Sequence, residues 1–269
     1  MTDFQKVIKY CAMAFAIFLI VSIVGGIVGS ISSLSRLFDG ESPVGELQTY
    51  PVNEDVRELV IDIRGAELKI REGDRFSVES NLKKLSVESS GGCLSVIEKN
   101  RWGTSSYENA LLVVTLPRDA ELKEAELSTG AGKVTVEGLT AETLSMELGA
   151  GRVTMKNVAV TGEADIDGGA GQLEIEGGSL ANLDLDMGVG ELVLRSRLTG
   201  TCDLDMGVGQ TTLTLIGTKE EYRVRLNKGL GNATFDGESM SDGSVYGSGA
   251  HSLNIDGGVG AIDLRFAAE

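Results

Sequence analysis

The chain has 269 residues, with 24 Lys and Arg against 40 Asp and Glu and a formal net charge of −16. A balance this acidic argues against nucleic-acid or anionic-lipid binding by the domain surface. Thirty-six glycines beside three prolines, without collagen's three-residue period, point to many tight turns.

Residues 1–9 read as a short cytoplasmic N-terminus and residues 10–35 as a transmembrane anchor. From Tyr10 to Ser35 there are 26 residues without a charge. As a helix they extend roughly 39 Å, and about 20 residues cross a bilayer core. Residues 12–31 lack the polar face that a buried helix of a soluble protein shows. A secretory signal has a shorter apolar core of ~7–15 residues before its small-x-small cleavage site. Gly29 to Ser32 imitate such a site only weakly, so the length favours an uncleaved anchor. Lys6 and Lys9 precede the span, whereas Arg36 is soon followed by Asp39 and Glu41. That asymmetry places the N-terminus inside and the remainder of the chain outside the cytoplasmic membrane.

Residues 36–55, with Pro43 and Pro51, read as a polar linker, and residues 56–269 as one repetitive β-domain. In 56–117 the segments Val60–Ile63, Leu68–Ile70, Phe76–Val78, Leu85–Val87 and Leu94–Val96 alternate apolar and polar residues, the signature of strands. They read as divergent coils of the stack that follows; the alternative is a separate small β-domain over this stretch. Residues 118–269 carry the regular coils and a C-terminal cap.

There a Gly-x-Gly element recurs at Gly130/Gly132, Gly149/Gly151, Gly169/Gly171, Gly188/Gly190 and Gly207/Gly209, in steps of 19, 20, 19 and 19 residues. Looser copies follow at Gly229/Gly231 and Gly258/Gly260. Alternating apolar pairs flank the copies, such as Val134 and Val136 after one and Leu185 and Met187 before another. A unit of about 19 residues with short strands and tight glycine turns is one coil of a single-stranded parallel β-solenoid, a β-helix. From Val56 to Phe266 there is room for on the order of ten coils at ~4.8 Å each. The glycines are expected to turn corners at positive φ, with the small residue between them packed inward. Gly237 to Ser252 reads as a Ser/Gly-rich loop, folded over the end of the stack or left as a contact surface.

Aligning the coils exposes two acidic columns. Four residues before the first glycine stand Ser145, Asp165, Asp184 and Asp203; two before it stand Glu147, Asp167, Asp186 and Asp205. Core parity points them outward. Like charges directly opposite on paired strands destabilise by up to ~1 kcal/mol each, so the columns call for a cation, a basic partner or free solvation. Ca²⁺ is the candidate cation, at Asp165, Asp167, Asp184, Asp186, Asp203 and Asp205, although adjacent ladders lack the converging loop ligands of calcium sites.

No catalytic residue and no bound cofactor is expected. Cys11, Cys93 and Cys202 form neither a disulfide framework nor a metal spacing, and Cys202 has core parity. His251, the single histidine, lies in the Ser/Gly loop and reads as an exposed residue with no nucleophile to serve. The Gly-x-Gly copies precede no helix and so are not nucleotide loops.

The anchor, Leu116-Pro117, Thr129-Gly130-Ala131-Gly132, Gly229-Leu230-Gly231-Asn232 and the ending Asn254-Ile255-Asp256-Gly257-Gly258-Val259-Gly260 together resemble the DUF4097 family. These are membrane-anchored, adhesin-like proteins of Gram-positive bacteria, related to the LiaG-like proteins. The resemblance covers about residues 56 to 266 and implies a β-solenoid at the cell envelope with a role in adhesion or envelope stress. Three functions follow as expectations. The first is a non-enzymatic surface module contacting an envelope protein or glycan. The second is a regulatory or sensory subunit acting through a membrane partner. The third is a glycan-active enzyme.

Overall fold

Period-two alternation becomes, in the structure, strands with apolar side chains inward and polar ones outward. The computed structural model describes residues 43–52, 55–99 and 107–268. The expected N-terminus, 1–9, and anchor, 10–35, lie outside the described residues. Among the described residues no helix is long and apolar enough to cross a membrane.

The divergent part contains β1 (Val44–Tyr50), β2 (Glu58–Ile63), β3 (Glu67–Gly73), β4 (Ser77–Leu82), β5 (Leu85–Ser90), β6 (Cys93–Glu98) and β7 (Leu111–Pro117). The regular coils are β8 (Glu121–Glu137), β9 (Thr140–Lys156), β10 (Ala159–Ala181), β11 (Leu183–Thr199) and β12 (Thr201–Ile216). The C-terminal part holds β13 (Tyr222–Asn227), β14 (Leu230–Phe235), β15 (Glu238–Ser239), β16 (Ser244–Tyr246) and β17 (His251–Ala267). β1 lies within the stretch expected to be a linker.

Equivalent residues of β8 to β12 stack in parallel register: Leu127 on Met146, Met146 on Ile166, Ile166 on Leu185, Leu185 on Leu204. These side chains are buried, and a buried Leu, Ile or Met each contributes about 1.5–3 kcal/mol. One column tapers to fit: Gly168 leaves the space that Met187 fills, since a Cβ there would sit 2.9 Å from Met187 Cγ.

The paired glycines do two different jobs. The second of each pair has a positive φ, from +141° at Gly171 to +154° at Gly209 in β8 to β12. The first does not. Its need for glycine is steric, because a Cβ on Gly149 would lie 2.0 Å from the carbonyl oxygen of Gly130 one coil below. The small residue between them does not pack inward as expected. Ala131 and Ala150 are exposed, and Ala170, Val189 and Val208 half-buried. The strand alternation shifts across this corner, with Leu127 buried before it and Val134 after it, where the second glycine takes its positive φ.

At both ends the coils leave chain order. β2 and β3 form the first coil and receive β8 on one side (Leu59 opposite Ala125, Leu68 opposite Val134). Their other side receives β6 and β7 (Leu59 opposite Leu94, Leu68 opposite Leu112). At the far end β17 lies between β12 and the coil made of β13 and β14. The order is therefore β6/β7, β2/β3, β8, β9, β10, β11, β12, β17, β13/β14, nine coils among the described residues. Each outer coil is covered by antiparallel strands, β5 on β6 and β4 on β7 at one end, β16 on β13 and β15 on β14 at the other. So β4 and β5 are not divergent coils. The Gly237 to Ser252 stretch, rather than being only a loop, supplies β15, β16 and the start of β17.

Two polar anchors hold these ends. Glu98, buried at 4% exposure, accepts hydrogen bonds from Arg64 N–H (2.9 Å) and Tyr107 O–H (2.5 Å). Burial, and next the bond to Glu98, push the Tyr107 phenol well above its ordinary range. Tyr222 is fully buried and donates to the carbonyls of Leu198 and Ile216 at 3.0 and 3.3 Å. His251 is half-buried against the Tyr222 ring and its Nδ1 accepts from Gly200 N–H at 3.2 Å. This corrects its reading as an exposed loop residue.

Candidate functional site

The first segment of each regular coil presents its polar residues outward. On β10 to β12, Asp165 lies opposite Asp184 and Asp184 opposite Asp203; Asp167 lies opposite Asp186 and Asp186 opposite Asp205. All six are exposed. Successive coils are about 4.8 Å apart, and alternate residues along a strand roughly 6.6 Å. The carboxylates thus form a two-column lattice, and none of the six is in an ion pair among the described residues.

The lattice is electrostatically loaded. Asp165, Asp186 and Asp205 are each held above the usual carboxylate range, first by burial and then by neighbouring carboxylates. For Asp186 those neighbours are Asp184 and Asp167. The outer face of the second segment behaves oppositely. Lys133 and Lys69 pair with Glu67 at 3.2 and 3.3 Å, Lys156 pairs with Glu176, and Arg265 with Asp263. Burial raises Glu67, but the bonds from Lys133 and Lys69 outweigh it and leave its pKa lowered. The hydrogen bond from Thr234, and next that from Arg265, lower Asp263.

Both columns run further than β12, by the same offsets from later glycines. Counting back from Gly258 gives Asn254 and Asp256, which lie opposite Asp203 and Asp205. Counting back from Gly229 gives Arg225 and Asn227, opposite Asn254 and Asp256. Asn254 donates to Asp203 at 2.7 Å and Asn227 to Asp256 at 2.5 Å. One column therefore ends in Asn254 and then Arg225 of β13, the other in Asp256 and then Asn227. These terminators are legible from the same offsets once the Gly229 and Gly258 copies are aligned.

Beside the carboxylates lies a shallow groove floored by the first-glycine column and walled by Glu147, Asp167 and Asp186, with Arg64 at one end. A second depression, lined by Asp186, Asp205 and Asp256, adjoins it. Among the described residues no three His, Cys, Asp or Glu side chains are placed to hold a metal ion. The aspartates stand side by side in parallel register rather than converging as the loop ligands of a calcium site do.

A parallel coil stack with a solvated carboxylate face on its first segment and ion pairs on its second defines a repetitive β-coil protein. The chain belongs to the DUF4097 family, whose model, Toastrack DUF4097, matches residues 56–250. Among solved structures it is similar to a candidate adhesin from Bacteroides fragilis, with 16% identity over 84% of this chain and 100% of that one and a TM-score of 0.52. At that identity the likeness is one of fold. Weaker likenesses are a candidate cell adhesion protein from Clostridium sporogenes (15% identity, 82% and 99% covered, TM-score 0.42) and a candidate lipid-binding protein from Parabacteroides distasonis (15%, 81% and 96%, 0.42). No curated protein matches the chain.

Proposed function

We propose that the chain is a non-enzymatic cell-envelope interaction module of adhesin type that binds a basic partner through its carboxylate face. Residues 10–35 would anchor it in a bacterial cytoplasmic membrane, with the coil stack outside. One observation carries the reading: Asp165, Asp167, Asp184, Asp186, Asp203 and Asp205 repeat in register with no ion pair among the described residues, while Glu67, Glu176 and Asp263 on the second segment are each paired. Each like-charge pair opposes folding by up to ~1 kcal/mol, and a docked polycation offsets that repulsion. The partner class is an extended envelope protein or glycan bearing amines or guanidinium groups. The description of the Bacteroides fragilis fold relative as a candidate adhesin agrees with this reading.

The test is binding of the full chain, in lipid nanodiscs, to poly-L-lysine and to isolated cell walls. The quadruple variant Asp184→Asn, Asp186→Asn, Asp203→Asn, Asp205→Asn is compared with the parent. Binding should weaken at least tenfold in the variant and fall steeply with salt, as exposed charge contacts do. Equal binding by the variant would sink the proposal.

A further inference from the structure

The chain runs from β12 into β13 through the short link 217–221, yet the two strands do not pair. Among the described residues the ladder partners of β13 are β16 and β17, and those of β14 are β15 and β17. The end of the stack therefore meets the regular coils along one plane, between β12 and β17. A run of rings holds β17 to the strands outside it. His251 and Phe266 of β17 pack on Tyr222 of β13 with centroids 5.6 and 5.3 Å away. Phe266 also meets Phe235 of β14 at 5.6 Å, and Phe235 meets Tyr246 of β16 at 5.5 Å. Ring pairs of this kind stabilise beyond the area they bury. Between β16 and β17, Gly249 crosses the Glu221–Tyr222 peptide with no room for a Cβ, and its N–H donates to the Tyr222 carbonyl at 3.1 Å.

The plane itself is bound less firmly. β11 and β12 contain no aromatic residue. In the core column Val134, Val153, Leu173, Leu192, Thr211 and Ile262, the one polar member is Thr211, buried opposite Ile262 at this plane. Burying a hydroxyl contributes less than burying a methyl. Side-chain contacts across the plane gather near the link: Tyr222 O–H with the Leu198 and Ile216 carbonyls, Gly200 N–H with His251 Nδ1, Asn254 with Asp203, and Arg197 with Glu221 at 3.5 Å. We propose that β13 to β17 form a hinged end-piece that opens from β12 as one unit, with β17 leaving together with the strands outside it. The link 217–221 is the hinge, where Gly217 has a φ of +139° and the backbone freedom that goes with glycine. The regular coils stay folded, because each is supported by parallel neighbours and local opening starts at the end of such a stack.

Cys202 reports the opening, because it is buried and lies opposite Leu253 of β17. Thiol labelling of Cys202 is followed beside hydrogen exchange, both read peptide by peptide, in the full chain in lipid nanodiscs with Cys11 and Cys93 replaced by Ser. Two disulfide locks share one position. Gln210→Cys with Ala261→Cys ties β12 to β17 across the plane, and Asn232→Cys with Ala261→Cys ties β14 to β17 within the end-piece. The members of each pair are exposed and directly opposite, and strands about 4.8 Å apart lie inside the range a disulfide spans. The first lock should slow Cys202 labelling and the exchange of β13, β14 and β17 at least tenfold, with reduction restoring the exchange. The second should leave Cys202 labelling within twofold of the unlocked chain. Labelling unmoved by the first lock, slowed equally by both, or seen only when β9 to β11 also exchange would each overturn the proposal. So would exchange of β13 and β14 while β17 stays protected.

Discussion

Replacing glycine by alanine at three positions separates the two reasons the corners need glycine. At Gly190 an added Cβ would sit 1.8 Å from the Gly171 carbonyl oxygen, and φ is +149°. Real Cβ contacts do not fall below 3.0 Å, so the coil must move by more than roughly 1 Å against a close-packed neighbour. The disfavoured φ costs about 1–3 kcal/mol and the overpacking about 1–3 kcal/mol more, for a combined loss of ~4 kcal/mol. At Gly188 the φ is not positive and the nearest atom, Gly169 O, is 2.6 Å away, so a shift of a few tenths of an ångström suffices and ~1 kcal/mol is expected. At Gly237 φ is +84° but nothing lies within 4 Å, leaving about 1–2 kcal/mol of backbone strain. With about 2–4 °C per kcal/mol for a domain of this size, Gly190→Ala should lower the melting temperature by roughly 8–16 °C. The other two should lower it by roughly 2–8 °C. Melting followed by circular dichroism checks the ranking. A Gly190→Ala protein no less stable than Gly237→Ala would refute the argument from coil stacking.

Asp165, Asp186 and Asp205 have raised pKa values in the fold. The stability their protonation confers is therefore present below the ordinary aspartate value of about 3.9 and lost as pH rises through the raised values. The triple Asn variant at these positions should melt higher than the parent at pH 7, with the difference closing toward pH 4; a constant difference across that window would contradict the ladder repulsion. Tyr222→Phe removes the single O–H donor shared by the Leu198 and Ile216 carbonyls and should cost about 1–2 kcal/mol, read from denaturant melts. Ending the chain after Ala250 removes β17 and leaves a slot between β12 and β13/β14. Hydrogen exchange should then show protection lost in β13 and β14; retained protection there would mean those strands can stack on β12 without the insert.

The register of β8 to β12 was legible because in a coil stack the repeat length is the register. The steps of 19 and 20 residues put Asp184 opposite Asp165 and Leu185 opposite Ile166. The same reasoning located the carboxylate columns. It failed where neighbours in space are not neighbours in the chain. Alternation tells which way a side chain points but not which strand lies beside it, so β6/β7 outside β2/β3 and β17 inside β13/β14 left no mark in period or spacing. Burial of the residue between the glycines was legible only in part, from exposed Ala131 and Ala150 to half-buried Ala170, Val189 and Val208, because strand parity shifts at that corner. His251 was misread because the ring that covers it, Tyr222, comes from a different coil.

The central claim is that one face of the stack, and not the other, meets a partner. Photo-crosslinking in the intact envelope tests it directly, with a photoreactive residue at Thr201, beside the carboxylate columns, or at Thr212, on the charge-paired face. Thr201 should yield a discrete adduct that is lost at high salt and in the Asp184→Asn, Asp186→Asn, Asp203→Asn, Asp205→Asn background, with none from Thr212. The same adduct from both positions, or from Thr212 alone, would contradict the account.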